Sequence, residues 1–229
     1  MPCDPALLVG MPLFASLSEE AMADLAAATM IRHYHKGMFV FMEGEPAERF
    51  HLVVDGRLRV FRGTPEGDEQ TLQVLERGEL LAITSLINGR PYPASAETQT
   101  DAQVAAIDRS DVAPLVQAHG DLAWILLQQV TRRLAWAEGR IYDLALRRAT
   151  GRVVSALLQF AQEKGAPDGS GRLIVTMPLT HREIGQLTGV SRETVTRTFG
   201  QLRGDGGLQW TDDGRLVLDP AKLDPWLHR

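Results

Sequence analysis

A run of apolar residues at heptad spacing divides the chain and restricts what it can fold into. Apolar side chains recur between residues 123 and 144 at alternating steps of four and three: Ala123, Leu127, Val130, Leu134, Ala137, Ile141 and Leu144. This spacing is typical of the a and d positions of a coiled coil, and a helix over residues 119–145 would be about 40 Å long. A strict a/d seam is narrower than the stripe by which a helix usually packs on its own domain. We therefore predict a parallel two-stranded coiled coil and a homodimer, with packing of the stripe on the chain's own sheet as the alternative.

The residues before this helix follow a period of two. FHLVV (50–54) and RLRVFR (57–62) alternate in polarity, and Asp55-Gly56 between them predicts a hairpin. Short strands continue to about residue 108, which predicts a barrel or roll over residues 1–118. A helix over 18–28, capped by Ser18, precedes the strands.

The residues after the long helix predict a second, mixed domain over 146–229. A helix is expected at about 147–163, a strand at LIVTM (173–177), and a hairpin around Thr211-Asp212-Asp213-Gly214. With the long helix as a segment of its own over 119–145, the fold class is α+β.

Two short helices around a glycine form the most specific motif of the second domain. Thr180 and Glu183 fit a capping box that starts the first helix, and the small Gly185 permits another helix to approach closely. Gly189 suits a turn with positive φ, and Ser191 caps the second helix. The pattern predicts a helix-turn-helix, with a plain pair of solvated helices as the alternative.

The second helix of this motif divides into two faces. On a helical wheel, Val195, Thr198, Phe199 and Leu202 lie on one side, whereas the other side carries Arg192, Glu193, Thr196, Arg197 and Gly200. The second face is rich in groups that hydrogen-bond to base edges. The formal net charge of −5 does not oppose DNA binding, because residues 146–229 hold 12 Lys and Arg against 9 Asp and Glu. The downstream hairpin resembles a wing.

Several other classes of protein are excluded or unsupported. No Walker loop, HExxH pattern or nucleophile elbow occurs, so we do not expect an enzyme or a metal site. The single cysteine, Cys3, excludes an internal disulfide and an iron–sulfur cluster; we expect it to be accessible and inert. No membrane-length apolar run or signal peptide is present, which makes the cytoplasm the expected location.

The chain resembles the Crp/Fnr superfamily of bacterial transcription regulators over essentially its whole length. The resemblance is carried by glycines 37, 44, 56 and 78, by the long helix, by GRVVSALLQFA and above all by EIGQLTGVSRETVTR. It implies a cyclic-nucleotide-binding-like β-roll (jelly roll), a dimerisation helix and a C-terminal winged helix-turn-helix. It further implies an activator of transcription with double-stranded DNA and RNA polymerase as partners.

The resemblance also assigns roles in DNA binding. Positions matching Arg192, Glu193 and Arg197 read a TGTGA half-site in relatives with this helix, which suits the pairing of arginine with guanine and of glutamate with cytosine. We add Thr196 to these base-reading residues. We assign phosphate contacts to residues at the starts of the two helices: Thr180, His181, Arg182, Ser191 and Thr194.

The resemblance places an effector pocket in the roll, but not the cyclic nucleotide for which the family is known. The Gly-Glu and Arg-Ser pairs that hold its ribose and phosphate become Ala82-Ile83 and Pro93-Ala94, and Arg90 is displaced by three residues. We therefore expect no cAMP binding, since an apolar pocket leaves a phosphate unpaired. An apolar ligand, or control by protein abundance alone, remains open.

Two alternatives stay open for the function. One is a haem-based sensor of the same architecture, with His33, His35, His51 and His119 as candidate axial ligands. The other is a ligand-binding module that regulates a protein partner through the helix-turn-helix. No cofactor is otherwise predicted.

Overall fold

The computed structural model describes residues 3–64, 67, 69–176 and 180–228. The chain forms two compact units, Met1–Leu134 and Ala135–Arg229, whose division falls inside the long helix. The predicted borders at 118/119 and 145/146 place that helix in a segment of its own. Instead, Leu122 and Ile125 near its start belong to the core of the first unit. No helix in the described ranges is both long and apolar enough to span a membrane.

The first unit is a β-roll with helices at both ends of its sequence. Its helices are α1 Pro5–Val9, α2 Glu19–Ala27, α3 Ile83–Asn88, α4 Arg109–Ala118 and α5 Gly120–Leu146, the last shared with the second unit. Its strands are β1 Thr29–Tyr34, β2 Phe39–Phe41, β3 Arg49–Asp55, β4 Leu58–Gly63, β5 Glu69–Leu75, β6 Leu80–Leu81, β7 Ser95–Thr98 and β8 Ala102–Asp108. They form two four-stranded sheets, in the orders β1-β8-β3-β6 and β2-β7-β4-β5.

The hairpin predicted at Asp55-Gly56 is wrong: the turn is present, but the two strands that flank it do not pair with each other. Gly56 has φ 86°, and a Cβ there would collide with the backbone at Asp101 and Ala102. The strands on either side of it, β3 and β4, lie in different sheets. The turn therefore carries the chain from one sheet to the other. Which sheet each strand joins is decided by its pairing with strands that are distant in sequence.

Strand β3 is buried on both faces, which corrects the alternation expected for residues 50–54. Phe50, Leu52 and Val54 belong to a core formed with helices that include α2 and α5. Val53 belongs to a second core inside the roll. Because the sheet lies between two cores, every residue from 50 to 54 is buried, including His51.

Cys3 is also buried, at 8% exposure, in the core that contains Leu25 and Ile31. Its backbone N–H donates to the carbonyl of Thr29 (3.1 Å), which holds the segment in place. Burial first, and Asp4 second, raise the pKa of the thiol. The expectation of an accessible cysteine was therefore wrong, since proximity to the start of the chain does not report tertiary packing.

The second unit packs helices on a small sheet. Its elements beyond α5 are α6 Ala149–Lys164, β9 Ala166–Pro167, β10 Leu173–Val175, α7 His181–Thr188, α8 Arg192–Gly204, β11 Leu208–Trp210, β12 Leu216–Leu218 and α9 Pro220–Leu223, followed by a 3-10 helix over Asp224–His228. The sheet order is β11-β12-β10-β9. The hairpin predicted at 211–214 is confirmed, since β11 and β12 pair antiparallel around it. Met177, the end of the predicted LIVTM strand, lies outside the described residues.

Candidate DNA-reading helix and effector pocket

Local caps fix both helices of the predicted motif. The Thr180 hydroxyl accepts from the N–H of Glu183 (3.3 Å), and the Glu183 carboxylate accepts from the N–H of Thr180 (2.7 Å). Helix α7 ends at Gly189, whose φ of 66° lies in the left-handed region. The Ser191 hydroxyl then accepts from the N–H of Thr194 (3.2 Å) at the start of α8. The capping box, the glycine turn and the second cap are confirmed.

Gly185 is needed because α7 lies directly against the turn. A Cβ at this position would be 2.7 Å from the carbonyl oxygen of Val190 and 3.5 Å from the backbone nitrogen of Arg192. The close approach expected at Gly185 therefore exists, and its partner is the backbone that leads into α8. This contact sets how the two helices sit against each other.

Two arginines that the sequence analysis did not single out hold the end of α7. Arg152 on α6 donates from Nε to the carbonyl of Thr188 (3.0 Å) and from Nη2 to that of Gly189 (3.1 Å). Arg140 on α5 donates from Nη2 to the carbonyl of Leu187. The last carbonyls of a helix have no partner inside it, so these guanidinium groups satisfy them. The donors are far away in sequence, and no local signal marks them.

Helix α8 presents the two faces that its sequence predicts. Val195, Thr198, Phe199 and Leu202 are buried, and the Thr198 hydroxyl donates to the carbonyl of Thr194 (2.8 Å). The opposite face is exposed and carries Arg192, Glu193, Thr196 and Arg197. Within the described parts of the chain, the guanidinium groups of Arg192 and Arg197 have no hydrogen-bond or ion-pair partner. They are therefore free to meet a ligand.

Hydrogen bonds also engage other predicted DNA-contacting side chains. His181 Nδ1 lies 2.9 Å from the Thr196 hydroxyl, and its ring centroid lies 4.5 Å from that of Phe199. Burial first, and Arg192 second, lower the pKa of His181. Hydrogen bonds from its own backbone N–H and from Ser191 lower the pKa of Glu193, so its carboxylate is ionised. Arg182 is exposed at the start of α7.

The hairpin after α8 has the form expected of a wing. Gly214 in its turn has φ 78°, and Arg215 pairs with Asp213 at 2.8 Å. Trp210 on β11 is 49% exposed. The hairpin thus offers an exposed aromatic side chain.

The predicted seam of α5 is largely uncovered in the single chain. Leu127, Leu134, Ile141 and Leu144 are between 54% and 67% exposed. Ala123 and Ala137 are partly exposed. Val130 instead packs against the core of the first unit, so it also serves the chain's own fold. Such a row of large apolar side chains is unusual on a surface that only faces water.

The predicted effector positions are mostly packed with apolar groups. Ile83 is 3% exposed within the core that includes Leu122 and Ile125, and Ala94 is 3% exposed within the core of the roll. Pro93 is exposed. Ala82 has φ 65° and is the one non-glycine residue with positive φ in the described ranges. Its backbone therefore adopts a conformation that favours glycine, the residue of the resembling pattern.

The four histidines considered as haem ligands lie in different surroundings. His33 and His35 are exposed. The Nε2 atom of His119 lies 2.9 Å from a carboxylate oxygen of Asp24. His51 is 4% exposed, its ring centroid lies 5.5 Å from that of Phe41 and 6.4 Å from that of Tyr92, and its Nδ1 has no partner among the described residues.

Comparison with known proteins agrees with this architecture. Residues 31–119 match the cyclic nucleotide-binding domain family, and residues 151–226 match the Crp-like helix-turn-helix domain family. The chain is 30% identical to a CRP-like cAMP-activated global transcriptional regulator of Mycobacterium tuberculosis, over 92% of this chain and 94% of that protein. It is 33% identical to a cyclic AMP receptor protein of Thermus thermophilus, over 94% and 96% of the two chains.

Among solved structures, a CooA variant from Carboxydothermus hydrogenoformans has a TM-score of 0.81 at 22% identity and covers 95% of both chains. This likeness concerns the fold alone. The two domain matches and the relatives over nearly the full length extend from the roll through the helix-turn-helix. The chain therefore belongs to the Crp/Fnr superfamily of transcription regulators and carries a DNA-binding helix-turn-helix of the Crp type.

Proposed function

We propose that the protein is a homodimeric activator of transcription that reads a TGTGA-like palindrome. The observation that carries this proposal is the exposed start of α8, where the guanidinium groups of Arg192 and Arg197 have no partner among the described residues. An arginine fork binds guanine O6 and N7, and the ionised Glu193 accepts from the amine of cytosine. The buried back of α8 and the caps around it hold this face rigidly, as base recognition requires.

The uncovered seam of α5 supports a two-fold assembly. Pairing Leu127, Leu134, Ile141 and Leu144 with their copies would remove them from water, and full burial of each leucine or isoleucine contributes about 1.5–3 kcal/mol. A two-fold axis along this helix relates two recognition helices, which then enter major grooves about 34 Å apart. The DNA site is accordingly an inverted repeat of the form TGTGA-N6-TCACA.

Selection of random duplexes by the purified protein tests this function directly. The enriched sites should be inverted repeats with half-sites about one helical turn apart. Arg192→Ala should weaken binding by about 1–3 kcal/mol and relax the preference at one base pair of each half-site. Arg203→Ala is a matched control, because Arg203 is exposed in the last turn of the same helix. Enriched sites without two-fold symmetry, or an unchanged base preference in Arg192→Ala, would contradict the proposal.

The proposed regulator does not use cAMP as its effector. Two relatives are named for cAMP, but Ile83 and Ala94 here are buried in apolar cores and offer neither a carboxylate nor a guanidinium group to a nucleotide. Control is therefore exerted by a different effector or by the abundance of the protein. Activation proceeds through contact with RNA polymerase and involves no catalysis by this chain.

A further inference from the structure

A surface pocket of about 650 Å³ is lined by residues of the first unit. Three segments form it: residues 46–49 at the start of β3, residues 89–91 after α3, and residues 108–110 where β8 leads into α4. Its volume is within the range of small-molecule sites. None of Ala82, Ile83, Pro93 and Ala94 lines it.

Hydrogen bonds fix the shape of this pocket. The N–H of Arg109 donates to the carbonyl of Glu48 (2.8 Å), which ties α4 to the start of β3. The N–H of Tyr92 donates to the carbonyl of Glu45 (3.0 Å), and its hydroxyl donates to the carbonyl of Arg49 (3.1 Å). Hydrogen bonds from Arg109 and Tyr92 thus join the segments on either side of the pocket to the start of β3.

Two of the three arginines that line the pocket have no ion-pair partner among the described residues. Arg49 pairs with Asp108 at 2.8 Å, so these two charges neutralise each other. For the guanidinium groups of Arg90 and Arg109, the described residues provide no hydrogen-bond or ion-pair partner. The remaining carboxylate, Glu48, is exposed and forms no ion pair with described residues. The lining therefore has three cations against two anions.

Gly89 brings one of these cations against the backbone of the opposite segment. A Cβ on Gly89 would lie 2.7 Å from Nη2 and 3.1 Å from Nη1 of Arg109, so the guanidinium group lies directly against Gly89 and would have to shift to admit a side chain there. Gly89 also has φ 63°, which favours glycine. Arg90, the residue after Gly89, lines the same pocket as Arg109, and Pro46, Ala47 and Pro91 supply an apolar wall.

We propose that this pocket binds a small molecule through a phosphate or carboxylate group held by Arg90 and Arg109. Planar guanidinium forks match the oxygens of both groups, and charge-assisted hydrogen bonds of this kind are the strongest that side chains make. The prolines and the alanine contact the uncharged part of the ligand. This site is additional to the proposed DNA-reading helix and to the predicted effector positions in the roll, and it does not depend on either.

Isothermal titration calorimetry of the full chain with pyrophosphate and, separately, with citrate tests the proposal. We expect saturable binding of at least one of them, and the stronger of the two distinguishes a phosphate ligand from a carboxylate ligand. The double variant Arg90→Gln/Arg109→Gln should bind the preferred anion roughly tenfold or more weakly, the loss of at least one charge-assisted hydrogen bond.

Arg62→Gln is the matched control, because it removes an exposed arginine of the same unit that lies outside the pocket and pairs with Glu43. It should bind as the unaltered protein does. Thermal unfolding confirms that the double variant is folded, and its unchanged affinity for duplex DNA separates this pocket from the DNA-binding surface. No saturable binding of either anion, or equal affinity in the double variant and the unaltered protein, would overturn the proposal.

Discussion

Acidification should destabilise the first unit through one histidine. His51 is enclosed by Phe41 and Tyr92 inside the roll, and burial first, followed by Arg32 and Arg49, lowers its pKa from 6.5 to about 4. The unfolded chain therefore takes up a proton on this residue at a higher pH than the folded chain does. Stability from this source is fully present above pH 6.5, falls as the pH is lowered to about 4, and is constant below that value.

The size of the effect follows from the two pKa values. One pKa unit corresponds to about 1.36 kcal/mol, so the interval from 6.5 to about 4 amounts to a loss of about 3 kcal/mol. Such a loss is a large part of the 5–15 kcal/mol by which native proteins are usually stable, on the order of a third of it.

The assay is chemical unfolding of the first unit at a series of pH values, combined with NMR titration of the imidazole. Other groups titrate over the same range, so the informative quantity is the difference between the protein and His51→Leu, which keeps the position apolar. The variant should lose about 3 kcal/mol less than the protein on going from pH 7 to pH 4. His33→Leu, which replaces an exposed imidazole, should retain the full loss. An NMR pKa near 6.5 for His51, or parallel pH profiles for the protein and His51→Leu, would refute this reasoning.

Three further predictions concern the other elements. Gly185→Ala should destabilise the second unit by about 1–3 kcal/mol in thermal or chemical unfolding, because its Cβ would lie 2.7 Å from the Val190 carbonyl. Gly200→Ala is the control: Gly200 is exposed on α8 with no atom within 4 Å of its Cβ, so the change should stabilise the unit by about 0.5–1 kcal/mol. Changes of the same sign in both variants would contradict this prediction. Leu134→Glu should dissociate the dimer in sedimentation, because it buries a charge against its own copy. Gln128→Glu, which changes an exposed residue of the same helix, should leave the dimer intact. A dimer that persists in Leu134→Glu would show that the predicted seam is not the dimer interface. Titration calorimetry with millimolar cAMP should show no heat of specific binding. A micromolar dissociation constant would show that the predicted pocket does accept the nucleotide.

Signals that act within a few residues could be predicted from the sequence. The Thr180–Glu183 capping box, the left-handed Gly189 and the Ser191 cap each depend on groups three or four positions apart, and all are present. The faces of α8 follow from helical periodicity for the same reason. The resemblance to the Crp/Fnr superfamily, carried by those residues, is borne out by the comparisons.

Features that depend on distant segments could not be predicted in this way. The turn at Gly56 is a local property, but the choice of sheets for β3 and β4 depends on partners such as β8 and β7. Burial of Cys3 is decided by a core assembled from several elements. The hydrogen bonds from Arg140 and Arg152 to the end of α7 cross 36 to 47 residues. Arginines are common, and only the folded chain shows which carbonyl each one meets.

The bonds from Arg140 and Arg152 also have a mechanical consequence. They fasten the turn of the helix-turn-helix to α6 and to the part of α5 that belongs to the second unit. Ile141 and Leu144 of the predicted seam lie within four residues of Arg140. Tilting α7 away from this support would break three hydrogen bonds at once, so these bonds couple the turn that precedes α8 to this end of the predicted seam.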